Sequence, residues 1–215
     1  MSPRRAEALR ETAGDPAVVL REHLLDTAER LLAERSVAAV TTRDLARAAG
    51  VSDGVLYNYF ADKNELLVTA LTRRFTRLVE RMDSQMPEPG DGTIEGNLQV
   101  VAAALARLHS EALPIVGSLL AEPTLLHRFM AAIHSADEPF GGKQIMDTVV
   151  AYLDAERARG RLAVADLEAA THILVGATAS LALTGQLAPG PDPVDRLPAV
   201  IDTLVHGLAP YRRSR

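Results

Sequence analysis

"TTRDLARAAGVSDGVLYNYFADKNELL", residues 41–67, is the stretch that decides the fold. Thr41 stands three residues before an aspartate, a spacing typical of a helix N-cap with an acidic residue in the first turn. Gly50 ends that helix after about two turns. Ser52 can cap a second short helix, which runs to about Phe60. Two short helices joined by a glycine-containing turn predict a helix-turn-helix motif.

The inner side of this motif is apolar. Leu56 and Phe60 are four residues apart, so they share one face of the second short helix. We expect both to point at the same core as Leu45, Ala48 and Ala49 of the first helix. The small alanines favour a close approach of the two helices.

The outward side of the second helix carries groups that can touch DNA. At 100° per residue, Gly54 and Asn58 lie opposite the core face, with Tyr57 on one side and Val55 and Tyr59 on the other. An asparagine can pair with adenine through two hydrogen bonds, and a valine can meet a thymine methyl group. Tyrosine hydroxyls can donate to phosphates. In this plan the second helix enters the major groove and the first crosses the backbone.

Two residues on this side allow two interpretations each. Gly54 either eases the turn or lets the backbone approach a DNA strand closely. Asp53 either interacts favourably with the helix dipole or accepts a hydrogen bond from a cytosine amino group. A carboxylate beside DNA is otherwise repelled, which favours the dipole interpretation for Asp53.

The run "VS.G.LY.YF..K.ELL" within this stretch resembles the DNA-binding motif of the TetR (tetracycline-repressor-like) family of bacterial transcriptional regulators. The resemblance covers some 50 residues, from the first helix to about Leu71. It implies that Thr42 and Arg43 start the helix that leans on the DNA backbone, and that Tyr57 and Lys63 clamp phosphates. The DNA-binding residues that we predict are Thr41, Thr42, Arg43, Ser52, Asp53, Gly54, Val55, Tyr57, Asn58, Tyr59 and Lys63.

The whole chain is predicted to be all-α, with an N-terminal three-helix helix-turn-helix unit and a larger C-terminal helical bundle. We expect a disordered arm at 1–16, a DNA-binding domain at 17–63, and a ligand-binding and dimerisation domain at 64–215. Arg4, Arg5 and Arg10 of the arm either reach DNA or stay solvated. The predicted helices lie at about 17–35, 41–50, 53–60, 62–82, 94–112, 115–135 (interrupted by Pro123), 140–159, 166–186 and 193–210.

The last two helices are amphipathic, and both have rows of apolar residues at helical spacing. Ordinary packing within one chain would explain these rows. The resemblance implies instead that residues 166–186 and 193–210 form a four-helix homodimer interface. A two-fold dimer would place two recognition helices about 34–36 Å apart and would bind a roughly palindromic operator of double-stranded DNA.

The middle helices, at about 94–160, are predicted by the same resemblance to hold an unidentified and largely apolar small-molecule effector. A ligand there would shift the long helix that starts at Asp62. Two histidines of this region, His127 and His134, share a helix face, but zinc needs three or four ligands and surface histidines are the better interpretation. The candidate pocket residues are Gln99, His109, His127, Met130, His134, Tyr152, Thr171 and His172.

Composition limits the remaining classes of function. The chain has no cysteine, which excludes disulfides and thiolate catalysis and fits a reducing cytoplasm. Residues 1–81 carry 13 Lys and Arg against 12 Asp and Glu, a net charge of +1 within a total of −5, so charge permits DNA binding without arguing for it. No signal peptide or membrane-spanning stretch is expected, the nearest being "ILVGATASLALTG".

No phosphate loop, nucleophile elbow or paired-histidine metal motif is present in the sequence, so we expect neither an enzyme nor a cofactor. The sequence therefore favours a cytoplasmic, ligand-responsive repressor. The alternative is a helical small-molecule-binding or interaction protein that does not bind specific DNA.

Overall fold

The computed structural model of the chain describes residues 15–134, 141–188 and 192–207. Within these ranges the protein is helical and has no strand, which confirms the predicted all-α class. Short 3-10 turns precede the second and the last helix, at Val37–Ala39 and Pro193–Arg196. The helices are α1 (Pro16–Glu34), α2 (Thr42–Ala49), α3 (Asp53–Leu56), α4 (Lys63–Ser84), α5 (Ile94–Leu120), α6 (Pro123–His134), α7 (Gly142–Ala158), α8 (Leu167–Leu187) and α9 (Leu197–His206).

Some expectations fall on residues outside these ranges. The predicted arm at 1–16 lies outside them up to residue 14, and with it Arg4, Arg5 and Arg10. The predicted end of the last helix, at 208–210, also lies outside the described residues, as does the side chain of His134.

Contacts divide the described chain into two compact units. The described residues of Met1–Arg74 and Ser118–Ile133 form the first unit, and those of Phe75–Gly117 and His134–Arg215 form the second. The helix-turn-helix motif therefore shares its unit with most of α6. The domain boundary predicted at 63/64 stays a prediction.

The first unit is built around α1. Asp15 caps this helix by accepting a hydrogen bond from Ala17 N–H at 3.0 Å, and Pro16 occupies the first turn, where no N–H is needed. The predicted apolar stripe is buried at Leu24, Leu25, Ala28 and Leu31. Fully burying a leucine of this kind contributes roughly 1.5–3 kcal/mol.

The core side of α2 differs from the predicted one at a single position. Leu45 and Ala49 are buried as expected, but Ala46 is buried while Ala48 is exposed. Positions 45, 46 and 49 follow the i, i+1, i+4 pattern of one helix face, whereas 48 lies to the side of it. The expectation for Ala48 was wrong, because the α2 face turned to the core is centred between Leu45 and Ala49.

The second unit contains a proline that does not end its helix. The predicted break between 112 and 115 is absent, and α5 continues through Pro114 to Leu120. A proline inside a helix leaves the carbonyl four residues earlier without its N–H partner. Here that carbonyl, of Ser110, accepts a hydrogen bond of 2.8 Å from Gln186 Nε2 of α8. A neighbouring helix thus replaces the lost backbone bond.

Pro123 also acts differently from the expectation. It begins α6 instead of interrupting a longer helix. The fixed backbone angle of proline suits the first turn, where its missing N–H has no intrahelical partner anyway. The break between α5 and α6 therefore falls at residues 121–122.

Two helices are long and apolar enough to cross a membrane by length and composition, α5 and α8. The sequence argument set the α8 stretch aside as too short, which was wrong, because α8 reaches 21 residues. Buried helices of soluble proteins pass the same test. Within the most apolar window, 44% of α5 and 22% of α8 is buried inside the protein.

Candidate nucleic-acid interface

The start of α2 is held by a reciprocal capping box. Thr41 Oγ1 accepts the N–H of Asp44 at 3.1 Å, and Asp44 Oδ2 accepts the N–H of Thr41 at 3.2 Å. The Thr41 hydroxyl also donates to Asp44 Oδ2 at 2.6 Å. These bonds, with Arg47 and Arg35 nearby, lower the pKa of Asp44 to about 2. The first turn of α2 is thereby fixed, with Thr42 half-buried and Arg43 exposed.

The end of α2 is set by Gly50. Its φ of 70° is left-handed, a region in which side chains other than glycine are strained. His23 of α1 reinforces this corner, because its Nε2 donates to the carbonyl of Ala49 at 3.0 Å. The turn between α2 and α3 is therefore held both by its own backbone and by α1.

The recognition segment, residues 52–60, is a tighter spiral than predicted. Only Asp53–Leu56 is α-helical, and the bonds of Asn58 N–H to Val55 O (3.2 Å) and Tyr59 N–H to Leu56 O (3.1 Å) span three residues instead of four. The expected helix to Phe60 was too long. Glycine, asparagine and aromatic residues have weak helix propensity, so this segment depends on packing for its shape.

The faces of the recognition segment agree with the predicted division. Leu56 and Phe60 are only 4% and 3% exposed. Tyr57 is 54% exposed, and Val55 and Tyr59 are half-buried between the two faces. The outward surface also contains the exposed residues Ser52, Asp53, Gly54 and Asn58. The structure therefore brings the predicted base-reading residues together on one surface.

Three of these residues have informative surroundings. Ser52 precedes α3, but its side chain makes no cap hydrogen bond. Gly54 has no positive φ, and a Cβ added to it would meet only Ser52 Oγ, at 4.0 Å. Neither backbone strain nor internal packing therefore requires glycine at 54. Asp53 is exposed in the first turn of α3 and has no ion-pair partner in the described part of the chain.

Lys63 lies at the start of α4, where its ammonium group has an internal partner. Its Nζ donates to the carbonyl of Val40 at 2.9 Å, and the side chain is half-buried. A lysine ammonium has three N–H donors, so this bond occupies one of them. Lys63 thus ties α4 to the connector before α2, at the edge of the predicted DNA surface.

The entry into α4 is capped from both sides. Asp62 Oδ1 accepts the N–H of Glu65 at 2.7 Å, and Glu65 Oε2 accepts the N–H of Ala61 at 2.5 Å. Arg128 of α6 donates to both carboxylate oxygens of Asp62, at 2.9 and 2.8 Å. The hydrogen bond from Arg128 is the main reason that the pKa of Asp62 is lowered.

Further supports of this unit were missed in the sequence. The guanidinium carbon of Arg21 lies 5.1 Å from the centre of the Phe60 ring, a cation–π arrangement that no spacing rule indicates. Arg73 of α4 binds three carboxylates of α1, those of Glu22, Asp26 and Glu29. These acids recur at i, i+4 and i+7, so an acidic stripe was readable, but its partner was not.

The predicted effector residues do not form one site. His109 and Thr178 share a hydrogen bond (3.2 Å), and burial lowers the pKa of His109. Tyr152 is buried and donates to Glu156 at 2.7 Å, while Thr171 is fully buried. The remaining described side chains of the set, Gln99, His127, Met130 and His172, are exposed. Within the described residues no group of three metal-binding side chains occurs.

Two larger spaces lie in the second unit, and none of these predicted residues lines either. A groove of about 630 Å³ lies between α8 and α9 and is lined by residues such as Leu181, Ala199 and Val200. A cavity of about 440 Å³ is lined by parts of α5, α7, α8 and α9 and by residues 161–166. Both volumes fall in the range of small-molecule sites, roughly 300–1,000 Å³.

Comparisons with known proteins agree with the helix-turn-helix geometry. Residues 24–70 match the family "Bacterial regulatory proteins, tetR family". The HTH-type transcriptional regulator AlkX of Mycobacterium tuberculosis is 35% identical over 111 residues, which are 50% of this chain and 52% of that protein. The HTH-type transcriptional repressor KstR2 of Rhodococcus jostii is 47% identical over 55 residues, 26% of each chain. The chain thus spans about half or less of the length of these relatives.

Solved structures share the fold over most of the chain. The transcriptional regulator FadR of Bacillus subtilis, solved in complex with stearoyl-CoA, matches 87% of this chain and 99% of its own, with a TM-score of 0.62 and 19% identity. Reduced NemR of E. coli matches 88% of this chain and 100% of its own, with a TM-score of 0.69 and 20% identity. At these identities the likeness concerns the fold.

Proposed function

We propose that this chain, whose residues 24–70 belong to the tetR family of bacterial regulatory proteins, is a ligand-responsive transcriptional repressor that binds a palindromic operator as a homodimer. The observation that carries the proposal is the outward surface of the recognition segment. It presents Gly54, Tyr57 and Asn58 to solvent while Leu56 and Phe60 anchor it from behind. A surface of this kind, on a short rigid support, suits entry into a major groove.

The roles on this surface divide between bases and backbone. Asn58 is placed to read adenine, and Val55 to meet a thymine methyl group. Gly54 contributes by its lack of a side chain, because nothing inside the protein requires glycine there. Of its two interpretations, close approach of the DNA backbone therefore has the better support.

Phosphate contacts come from the flanks of the surface. Thr42 and Arg43 stand in the first turn of α2, and the Tyr57 hydroxyl is exposed beside the base-reading face. Lys63 keeps two ammonium donors beyond its bond to Val40, and these suit a phosphate oxygen. The same side chain thus shapes the motif and contacts DNA. Thr41 and Ser52 complete the flanks, and Asp53 acts through the helix dipole.

The homodimer is proposed to form through α8 and α9. The solvent-facing side of α8 is apolar, with Ile173, Leu183 and Leu187 exposed by 58%, 46% and 77%. An exposed apolar surface of this length marks an interaction site in soluble proteins. A second copy of α8 and α9 would cover it and fill the groove between them. The proposed interface is the predicted one, residues 166–186 and 193–210.

A small-molecule effector would act on the spacing of the two recognition segments. α4 contributes Lys63–Arg74 to the first unit and Phe75–Ser84 to the second, so a change at either end is felt along one helix. A ligand shifts this equilibrium only by its difference in affinity for the two states. The solved FadR carries stearoyl-CoA, which supports a largely apolar effector for this fold.

The family consists of transcription regulators, so we propose a cytoplasmic, non-catalytic protein, with α5 and α8 serving as core and dimer helices and not as membrane spans. A helical binding protein without specific DNA contacts remains the rival. The exposed Asp53 is the one observation that favours it, because a carboxylate opposes phosphate.

Selection of bound duplexes from a random pool, followed by fluorescence anisotropy, tests the proposal. We expect a palindromic site whose affinity falls as salt rises, with log K falling about 0.9 per phosphate contact. A scrambled duplex of the same length is the control. Equal binding of both duplexes at low salt would favour the rival function.

A further inference from the structure

The 440 Å³ cavity of the second unit has a nearly continuous hydrocarbon wall. Ile94 and Leu98 of α5, Leu153 of α7, and Ile173 and Leu174 of α8 line it. Well-packed interiors have few voids larger than a water molecule. A space of this size is therefore large enough for a ligand of ten or more heavy atoms, at roughly 20–30 Å³ for each small group.

The lining contains two charged residues, Arg161 and Asp166, and otherwise only apolar ones. Arg161 is held in place by the backbone, because its Nη2 donates to the carbonyls of Asp91 (3.0 Å) and Gly92 (3.1 Å). Its Nε lies 3.2 Å from Glu156 Oε2. Among the described residues no partner occupies its Nη1, so one donor of a rigid guanidinium is left at the cavity.

Glu156 keeps this guanidinium from acting as a free positive charge. It is fully buried, and although burial raises the pKa of Glu156, hydrogen bonds from Tyr152, Gly90 N–H and Asn97 and the charge of Arg161 lower it by more. Glu156 is therefore ionised at neutral pH. Its Oε2 pairs with Arg161 in an ion pair that lacks hydrogen-bond alignment.

Asp166 adds a further negative charge to the lining. One of its oxygens accepts the N–H of Ala169 at 3.0 Å and caps α8. With Arg161 balanced by Glu156, the charges at the cavity sum to about −1. A carboxylate or phosphate ligand would be repelled by two carboxylates, and a cation would have to leave water for a mostly apolar space.

We propose that this cavity binds an uncharged, largely apolar molecule that carries a carbonyl or hydroxyl oxygen, which accepts a hydrogen bond from Arg161. Hydrocarbon fills the space between α5, α7 and α8, and the single oxygen fixes its orientation. The proposal deepens the proposed function and rests on it for its regulatory meaning. Binding itself is independent of DNA.

The position of the cavity links it to the proposed dimer interface. Ile173, Leu174 and Leu204 line both the cavity and the groove between α8 and α9. α9 is anchored by its buried residues Leu197 and Ile201. A molecule that fills the cavity would therefore push on the same side chains that face the partner subunit, which is a direct route from ligand to dimer geometry.

The neutral dye Nile red, which is apolar and carries one carbonyl, is a suitable probe for the full-length protein. We expect saturable, blue-shifted fluorescence with one dye per chain. Ala170→Leu places a larger side chain in the cavity and should raise the dye Kd by roughly tenfold or more. Ala151→Leu, the same change at an exposed site of α7, should leave the Kd unchanged. Circular dichroism and thermal melting establish that both variants fold.

Competition defines the chemical class of the ligand. Methyl octyl ketone, decanoate and decylammonium have similar tails and differ in charge. The ketone should displace the dye at a concentration roughly tenfold lower than either ion. Displacement by decanoate at an equal or lower concentration would overturn the assignment of an uncharged ligand.

The location of the site has its own test. Ala199→Leu fills the groove between α8 and α9 without touching the cavity. Loss of dye binding in this variant but not in Ala170→Leu would place the dye in the groove and overturn the proposal, as would the absence of saturable binding. Operator affinity, measured on the same preparations without dye, shows separately whether the DNA-binding proposal fails.

Discussion

Arg128 Nη1 lies 2.9 Å from Oδ1 and 2.8 Å from Oδ2 of Asp62, the residue that caps the start of α4. Asp62 comes two residues after Phe60, the buried anchor of the recognition segment. An arginine of α6 therefore holds the junction between the recognition segment and α4. Both side chains are close to half exposed, at 44% and 45%, so the pair contributes at most about 1 kcal/mol to stability.

The first prediction concerns this pair. Arg128→Gln should change the melting temperature little but weaken operator binding about threefold to tenfold, because a looser junction lets the recognition segment take more orientations. Fluorescence anisotropy with the selected operator measures the effect. Lys143→Gln is the matched control, since it removes a similarly exposed ion pair, with Asp147, from the second unit. Equal operator affinities in the two variants would contradict a role for the junction.

The second prediction separates the two interpretations of Gly54. A Cβ at this position would meet nothing closer than 4.0 Å, so Gly54→Ala should stabilise the protein by about 0.4–1 kcal/mol through a less flexible unfolded chain. Operator binding should nevertheless fall, because the methyl group projects toward the DNA backbone. Denaturant unfolding and anisotropy measure the two effects.

Gly50→Ala provides the contrast for Gly54. With φ at 70°, it should destabilise the protein by roughly 1–2 kcal/mol although no atom lies within 4 Å of the new Cβ. A Gly54→Ala protein that is more stable and binds the operator with unchanged affinity would show that Gly54 only eases the turn.

These glycines illustrate how much was predictable from the sequence. The cap at Thr41, the stop at Gly50 and the division between Leu56 and Tyr57 depend on interactions within a few residues, so local rules predicted them. The same rules gave α3 one turn too many, because the choice between three- and four-residue hydrogen bonds near Asn58 is decided by packing.

Longer-range features were not readable in this way. The continuation of α5 through Pro114 depends on Gln186, 72 residues further along the chain. The partner of Asp62 lies 66 residues away, on another helix. The predicted effector residues were chosen for being polar within apolar stretches, yet Tyr152 proved to bind Glu156 and most of the others face solvent. Which polar residues meet in space depends on helix packing, which spacing alone does not specify.

The third prediction contrasts base reading with phosphate binding. Asn58 is exposed, so Asn58→Ala should leave stability unchanged and remove preference at one base position, a loss of about 1–3 kcal/mol of discrimination. Repeating the duplex selection with the variant measures this. An unchanged base preference would exclude Asn58 from base reading.

Lys63→Ala should instead weaken binding to all duplexes alike and reduce the salt slope by about 0.9 per subunit contact. It should also lower the melting temperature, because the Val40 carbonyl loses its donor. Lys63→Arg keeps the charge and serves as the control for the salt slope. A slope that stays the same in Lys63→Ala would confine Lys63 to its structural bond with Val40.

The fourth prediction tests which aromatic residues belong to the core. Phe60→Ala should destabilise the protein by about 3–5 kcal/mol, because Phe60 is 3% exposed and Arg21 stacks on its ring. Tyr57→Ala, at 54% exposure, should cost no more than about 0.5 kcal/mol but should weaken operator binding. Urea unfolding compares them. Similar losses of stability in both variants would contradict the division of faces.

The fifth prediction concerns the dimer. Leu183 of α8 and Val100 of α5 are almost equally exposed, at 46% and 44%, but only Leu183 lies in the proposed interface. Leu183→Arg would place two unpaired charges near each other in an apolar interface, so we expect monomers by light scattering after size-exclusion chromatography. Val100→Arg should remain dimeric.

Operator binding should follow the oligomeric state, because two linked recognition segments reach far higher affinity than one. The Leu183→Arg monomer should bind a half-site and a full palindrome with similar, weak affinity, whereas Val100→Arg should keep its preference for the palindrome. A Leu183→Arg protein that stays dimeric would move the interface away from α8. A monomeric variant with full affinity for the palindrome would instead remove dimerisation from the DNA-binding mechanism, since the two segments would then not need to be linked.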